Sequence, residues 1–148
     1  MLAFLAAPCS CARPIVVQFY PEPQRSRRDV ALVMATSGSG DYRVDVIEVD
    51  ERGTPDPFLV SDPVWIEVPP GNHVFEVALA LNRSRSGAVY AEPMGADVEG
   101  GRCYRPALGP RGDVDWWGER HLEVISCPAT WRWFPRQVRK ASEPPEGL

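Results

Sequence analysis

Hydrophobic and polar positions alternate in short runs along this chain, mostly with the two-residue period of β-strands. Ile15-Val16-Val17-Gln18-Phe19-Tyr20 is rich in β-branched and aromatic residues and is closed by Pro21, which predicts a strand. Asp29–Ala35 suits helix or strand by periodicity alone. The turn-forming Thr36-Ser37-Gly38-Ser39-Gly40 directly after it selects strand. From Tyr42 to Val49, Tyr42, Val44 and Val46 point one way and Arg43 and Asp45 the other. Ile47 interrupts this order and predicts a bulge. Val64–Val68 and His73–Leu79 flank Pro69-Pro70-Gly71-Asn72, a pattern that predicts a hairpin with Gly71 at positive φ. Further strands are expected at Ala88–Ala91, Ala96–Val98, Arg102–Arg105 and His121–Cys127.

Seven to nine short, mainly antiparallel strands punctuated by glycine and proline predict an all-β fold, a single β-sandwich of Ig-like or PEGA-like form. The chain length of 148 residues fits one domain, and the 16 prolines argue against a helical bundle. The expected organisation is a residual signal- or lipoprotein-like segment at 1–13, the sandwich at 14–134 and a disordered tail at 135–148. The formal net charge of −4 gives no electrostatic case for a nucleic-acid partner. Fifteen of the 16 basic residues are arginine. A phosphate-reading or carboxylate-clamping protein would use that planar fork, but GC-rich coding bias is the preferred reading of the excess. The run Arg132–Lys140 interleaves basic and aromatic residues and reads as a solvated terminal segment.

The N-terminus, Met1-Leu2-Ala3-Phe4-Leu5-Ala6-Ala7-Pro8-Cys9, reads as the back half of an export signal. Cys9 or Cys11 would then be a candidate for lipidation and attachment to a membrane. Cys103 opens one predicted strand and Cys127 closes another, so both are expected at the same end of antiparallel neighbours and joined by a disulfide. Such a bond belongs to an oxidising compartment, here the periplasm or cell envelope.

The segments "DVALVMATSGSGDYRVDVIEVDERG", "IEVPPGNHVFEVAL" and "ADVEGGRCYRPAL" resemble a group of small, uncharacterised secreted lipoproteins of bacteria with PEGA-like β-sandwich domains. The pieces that carry the resemblance are Asp29-Val30-Ala31-Leu32, Val49-Asp50, Pro70-Gly71-Asn72-His73 and Gly101-Arg102-Cys103-Tyr104. The resemblance implies a sandwich fold and an envelope location, and it carries over no catalytic residue.

The residues themselves point to little chemistry. The expectation is no catalytic residue, no cofactor and no metal site. There is no G-x-S-x-G, no Walker-type loop, no H-E-x-x-H and no paired C-x-x-C. His73 is expected to pack over the turn or to bond a strand carbonyl, and His121 to face solvent. Asp50-Glu51 and Asp113-x-Asp115 are read as solvated turn acids before calcium ligands. Trp116, Trp117, Trp131 and Trp133 form a candidate ligand platform, since exposed aromatic faces bind sugars or proteins. In Trp131-Arg132-Trp133 the strand alternation would put both rings on one face. The resulting expectation is a non-catalytic, envelope-located interaction or structural module whose partner is an envelope protein or glycan. The alternative is a carbohydrate-binding module that uses the C-terminal tryptophans.

Overall fold

A computed structural model describes residues 14–38, 42–54, 63–81, 88–109 and 119–138. Among them are β1 (Ile15–Gln18), β2 (Ala31–Met34), β3 (Thr36–Ser37), β4 (Tyr42–Val49), β5 (Arg52–Gly53) and β6 (Val64–Val68). The chain continues with β7 (Gly71–Leu81), β8 (Ala88–Val98), β9 (Cys103–Leu108), β10 (Arg120–Ile125) and β11 (Arg136–Val138). Two 3-10 turns, Arg27–Asp29 and Trp131–Trp133, are the helical elements among the described residues.

The strands form two sheets, as expected for an all-β sandwich. A six-stranded sheet runs β10-β9-β2-β6-β1-β11, and a second sheet runs β3-β4-β7-β8 with β5 paired to β4. The second sheet is antiparallel throughout. The six-stranded sheet is mixed, because β1 runs parallel to both β6 and β11 and β2 runs parallel to β9. Alternation explains the core between the sheets. Val17 of β1, Val33 of β2 and Val64, Ile66 and Val68 of β6 face Val44 and Val46 of β4 and Phe75, Val77 and Leu79 of β7. The register of β4 against β7 slips between Val46 and Glu48, beside Ile47. This bulge returns Val49 to the core, where it is buried with Val44 and Val46.

Several sequence expectations are corrected. Val64–Val68 and Gly71–Leu81 do not pair as a hairpin. They lie in different sheets, and the Pro69-Pro70 turn carries the chain from one layer to the other. Gly71 does take the positive φ, at 123°. The two strands expected around Ala88–Val98 are one strand. Pro93 is tolerated there because β8 is an edge, where a missing N–H removes no ladder bond on the outer side. The chain beyond residue 134 is also not all tail, since β11 adds parallel to β1 with Val16 opposite Arg136.

The continuous apolar run in β2 has a structural cause, because the six-stranded sheet is covered on both faces. Ala31 and Val33 face the inter-sheet core. Val30 and Leu32 face a second cluster with Val16, Tyr20, Cys103 and Trp131. Trp65, Ile125, Cys127 and Phe134 pack against that cluster. The irregular segments around Tyr20–Val30 and Cys127–Phe134 thus contribute to a third layer on the outer face of the sheet.

Candidate functional site

The third layer is organised around an acidic residue. Glu67 lies between Ile66 and Val68 on β6, so alternation sends its side chain to the outer face, where it is fully buried. A buried carboxylate is costly unless its charge and lone pairs are met. Both of its oxygens are engaged. Tyr20 donates its hydroxyl to Oε1. Trp131 donates Nε1–H to Oε2 at 2.8 Å, and Arg136 Nη1 forms an ion pair with the same oxygen at 2.7 Å. The Tyr20 phenol is pushed up to about 12, first by burial and then by its hydrogen bond to Glu67.

Arg136 is held from two sides, by its ion pair with Glu67 and by Gln24. With its amide oxygen turned to the guanidinium, Gln24 accepts from Arg136 Nε at 3.0 Å and from Nη2 at 2.9 Å. The same aromatic rings that bond Glu67 support two further arginines. The Arg25 guanidinium carbon stands 4.9 Å from the Tyr20 ring centre, and that of Arg27 stands 4.9 Å from the Trp131 ring centre. The Arg25 backbone N–H also donates to the Tyr20 hydroxyl at 3.2 Å. Above this base opens a cleft of about 410 Å³ lined by Gln24, Arg25, Ser26, Arg27, Arg28 and Arg136.

Two contacts fix the arginine segment from below. Gly101 N–H donates to the Val30 carbonyl at 2.8 Å, and the backbone of Gly100 passes directly under the Arg28 carbonyl. A Cβ at position 100 would sit 2.1 Å from that oxygen, so the close approach requires glycine. At the other end of the segment, Ser26 Oγ donates to Asp29 Oδ2 at 3.0 Å. Among the described residues, no carboxylate pairs with the side chains of Arg25, Arg27 or Arg28.

The residues singled out from sequence fall differently. Cys103 and Cys127 form a disulfide with a Cα separation of 5.2 Å, at the end of the β9–β10 pair where Ile125 lies opposite Cys103. Cys9, Cys11, Trp116 and Trp117 lie outside the described residues, as do Asp113 and Asp115. Trp131 and Trp133 do not share a face. The segment is a 3-10 turn and not a strand, which buries Trp131 completely and leaves Trp133 82% exposed. Trp131 is therefore a structural post for Glu67 and Arg27, and it presents no ring to a surface platform.

His73 bonds a carbonyl of the turn and not of a strand, with Nε2 2.6 Å from the Pro69 oxygen, and its Nδ1 lies 2.6 Å from Asp50 Oδ2. Asp50 sits at φ 48° and also accepts from Val74 N–H at 2.9 Å, so it is a turn-fixing acid. Among the described residues no group of His, Cys, Asp and Glu is arranged to hold a metal.

Sequence reasoning missed the arginine cleft. The signal present was the choice of arginine over lysine together with the run Gln24-Arg25-Ser26-Arg27-Arg28, which reads locally as a solvated loop. Comparison with protein-family models, with curated proteins and with solved structures gives no match to this chain.

Proposed function

We propose that this chain is a non-catalytic, envelope-located interaction module that binds its partner at the cleft lined by Arg25, Arg27 and Arg28. The observation that carries the reading is the chemistry of that lining. Guanidinium groups stay protonated near neutral pH, so they hold and orient a ligand and do not exchange protons with it. The disulfide supports an oxidising compartment, in keeping with export. The lipoprotein and PEGA-like resemblance belongs to the same proposal.

Site-specific photo-crosslinking in an envelope extract of the native organism tests it. A crosslinker at Glu22, exposed two residues before the cleft-lining Gln24, is expected to give a discrete mass increment by intact-mass spectrometry, small or macromolecular, that disappears in an Arg25→Glu/Arg27→Glu variant. A crosslinker at Val74, exposed on the other sheet, is expected to give none. Adducts from Glu22 that survive both charge reversals would contradict the assignment.

A carbohydrate-binding reading is favoured by one observation, the exposed ring of Trp133. It requires glycan binding that is lost on Trp133→Ala with the fold intact.

A further inference from the structure

Resting on the cleft reading above, we infer that the ligand held by Arg25, Arg27 and Arg28 is a phosphate monoester of small-molecule size. Three features of the site lead to this class.

The first is uncompensated charge. Arg136 is balanced in charge by Glu67, and its Nε and Nη2 donate to Gln24. Glu67 carries a single charge, so the positive charge of Arg25, Arg27 and Arg28 exceeds what the buried carboxylate requires. Glu22 and Asp29 are the acids of the segment, Asp29 hydrogen-bonded to Ser26, and two carboxylates against three arginines still leave a positive surplus. A monocarboxylate would answer one of the three arginines. A phosphate monoester brings close to two negative charges at neutral pH and three terminal acceptor oxygens, and so can answer several at once.

The second feature is orientation. Arg25 and Arg27 lie against the aromatic rings of Tyr20 and Trp131, which are themselves tied to Glu67. A guanidinium held over an aromatic ring is drawn to it by the ring's quadrupole and keeps N–H groups for an acceptor. The cost of ordering two long side chains is thereby met before a ligand arrives. The third feature is size. A cleft of about 410 Å³ lies in the range of small-molecule sites and holds more than a bare phosphate ion, so the phosphoryl group comes attached to a carrier.

Phosphate monoesters reach such a compartment as soluble esters or as the headgroup of a lipid. Isothermal titration of the full chain at low ionic strength with glucose 6-phosphate, and co-sedimentation with vesicles of phosphatidylcholine containing phosphatidic acid, separate the two sources. Saturable binding in either arm is expected, weakened roughly tenfold or more by Arg27→Gln. Arg27→Lys should also weaken it, because a lysine keeps the charge but loses the fork. Arg28→Gln, exposed and without a ring beneath it, should weaken it without touching the third layer. Arg105→Gln, on β9 outside the cleft lining and paired with Glu123 at 2.7 Å, is the charge control and should leave binding unchanged. Equal binding of succinate and of the phosphate esters would overturn the phosphate assignment while leaving the cleft as the binding site. No saturable binding in either arm, or equal losses in Arg28→Gln and Arg105→Gln, would overturn the inference. The crosslinking outcome above separately decides whether the cleft reading survives.

Discussion

Trp131 Nε1 donates to Glu67 Oε2 at 2.8 Å, joining residues 64 positions apart in sequence across the outer face of the six-stranded sheet. With Tyr20 and Arg136 on the same carboxylate, this bond ties the C-terminal segment to the start of the chain over a strand from the middle. Removing the carboxylate leaves two buried donors without their acceptor and Arg136 without its ion pair. Glu67→Ala is therefore expected to lower stability by about 3–5 kcal/mol, with Glu67→Gln costing less because it keeps an acceptor oxygen. Urea denaturation of the two variants measures both values.

The Tyr20 hydroxyl gives the same network an alkaline signature. Its pKa is raised from 10.0 to about 12, chiefly by burial and by the bond to Glu67. Between these values the folded chain holds a proton that the unfolded chain has released. The contribution is therefore fully present below pH 10 and is lost as pH rises toward 12, by up to roughly 2–3 kcal/mol. Denaturation midpoints measured from pH 8 to 12 should fall across that window in the wild type. The corresponding slope should be reduced in Tyr20→Phe.

Gly100 connects the cleft to the rest of the fold, because its backbone lies under the Arg28 carbonyl. Gly100→Ala forces two backbone segments apart and is expected to cost about 1–3 kcal/mol. It should also shift the backbone amide resonances of residues 27–29 more than those of β7. Gly53→Ala is the comparison, since a Cβ there meets nothing within 4 Å.

The disulfide joins residues with a sequence separation of 24. On the chain-entropy model this closure is worth about 3.5 kcal/mol. The Cys103→Ala/Cys127→Ala variant should lose stability of that order, read from denaturant midpoints against the oxidised protein. A loss far below 1 kcal/mol would show that the third layer holds these strands without the bond.

Much of the fold was legible in local sequence, because strands write themselves as alternation. The bulge beside Ile47, the positive φ of Gly71 and the disulfide partners could all be read from short segments. What could not be read depends on non-local partners. Val64–Val68 and Gly71–Leu81 look like the arms of a hairpin, and only the packing of two sheets separates them. Arg136–Val138 looks like the start of a tail until β1 offers it an edge. Glu67, an acid in an alternating strand, carries the pattern of a solvent-facing residue. Its burial follows from Trp131 folding over it in a 3-10 turn, which strand alternation in Trp131-Arg132-Trp133 had hidden. The cleft draws on Gln24–Arg28 and Arg136, more than a hundred residues apart, so no single segment announces it.

A carboxylate-centred network that presents arginines to an anionic ligand is the proposed basis of binding. Its most direct test is the set of arginine Nε–Hε resonances during a titration with glucose 6-phosphate. The predicted result is a saturable shift of Arg25 and Arg27 with a common midpoint, while Arg105 and Arg102 stay in place. Shifts of equal size at all four arginines, or none at Arg25 and Arg27, would contradict it.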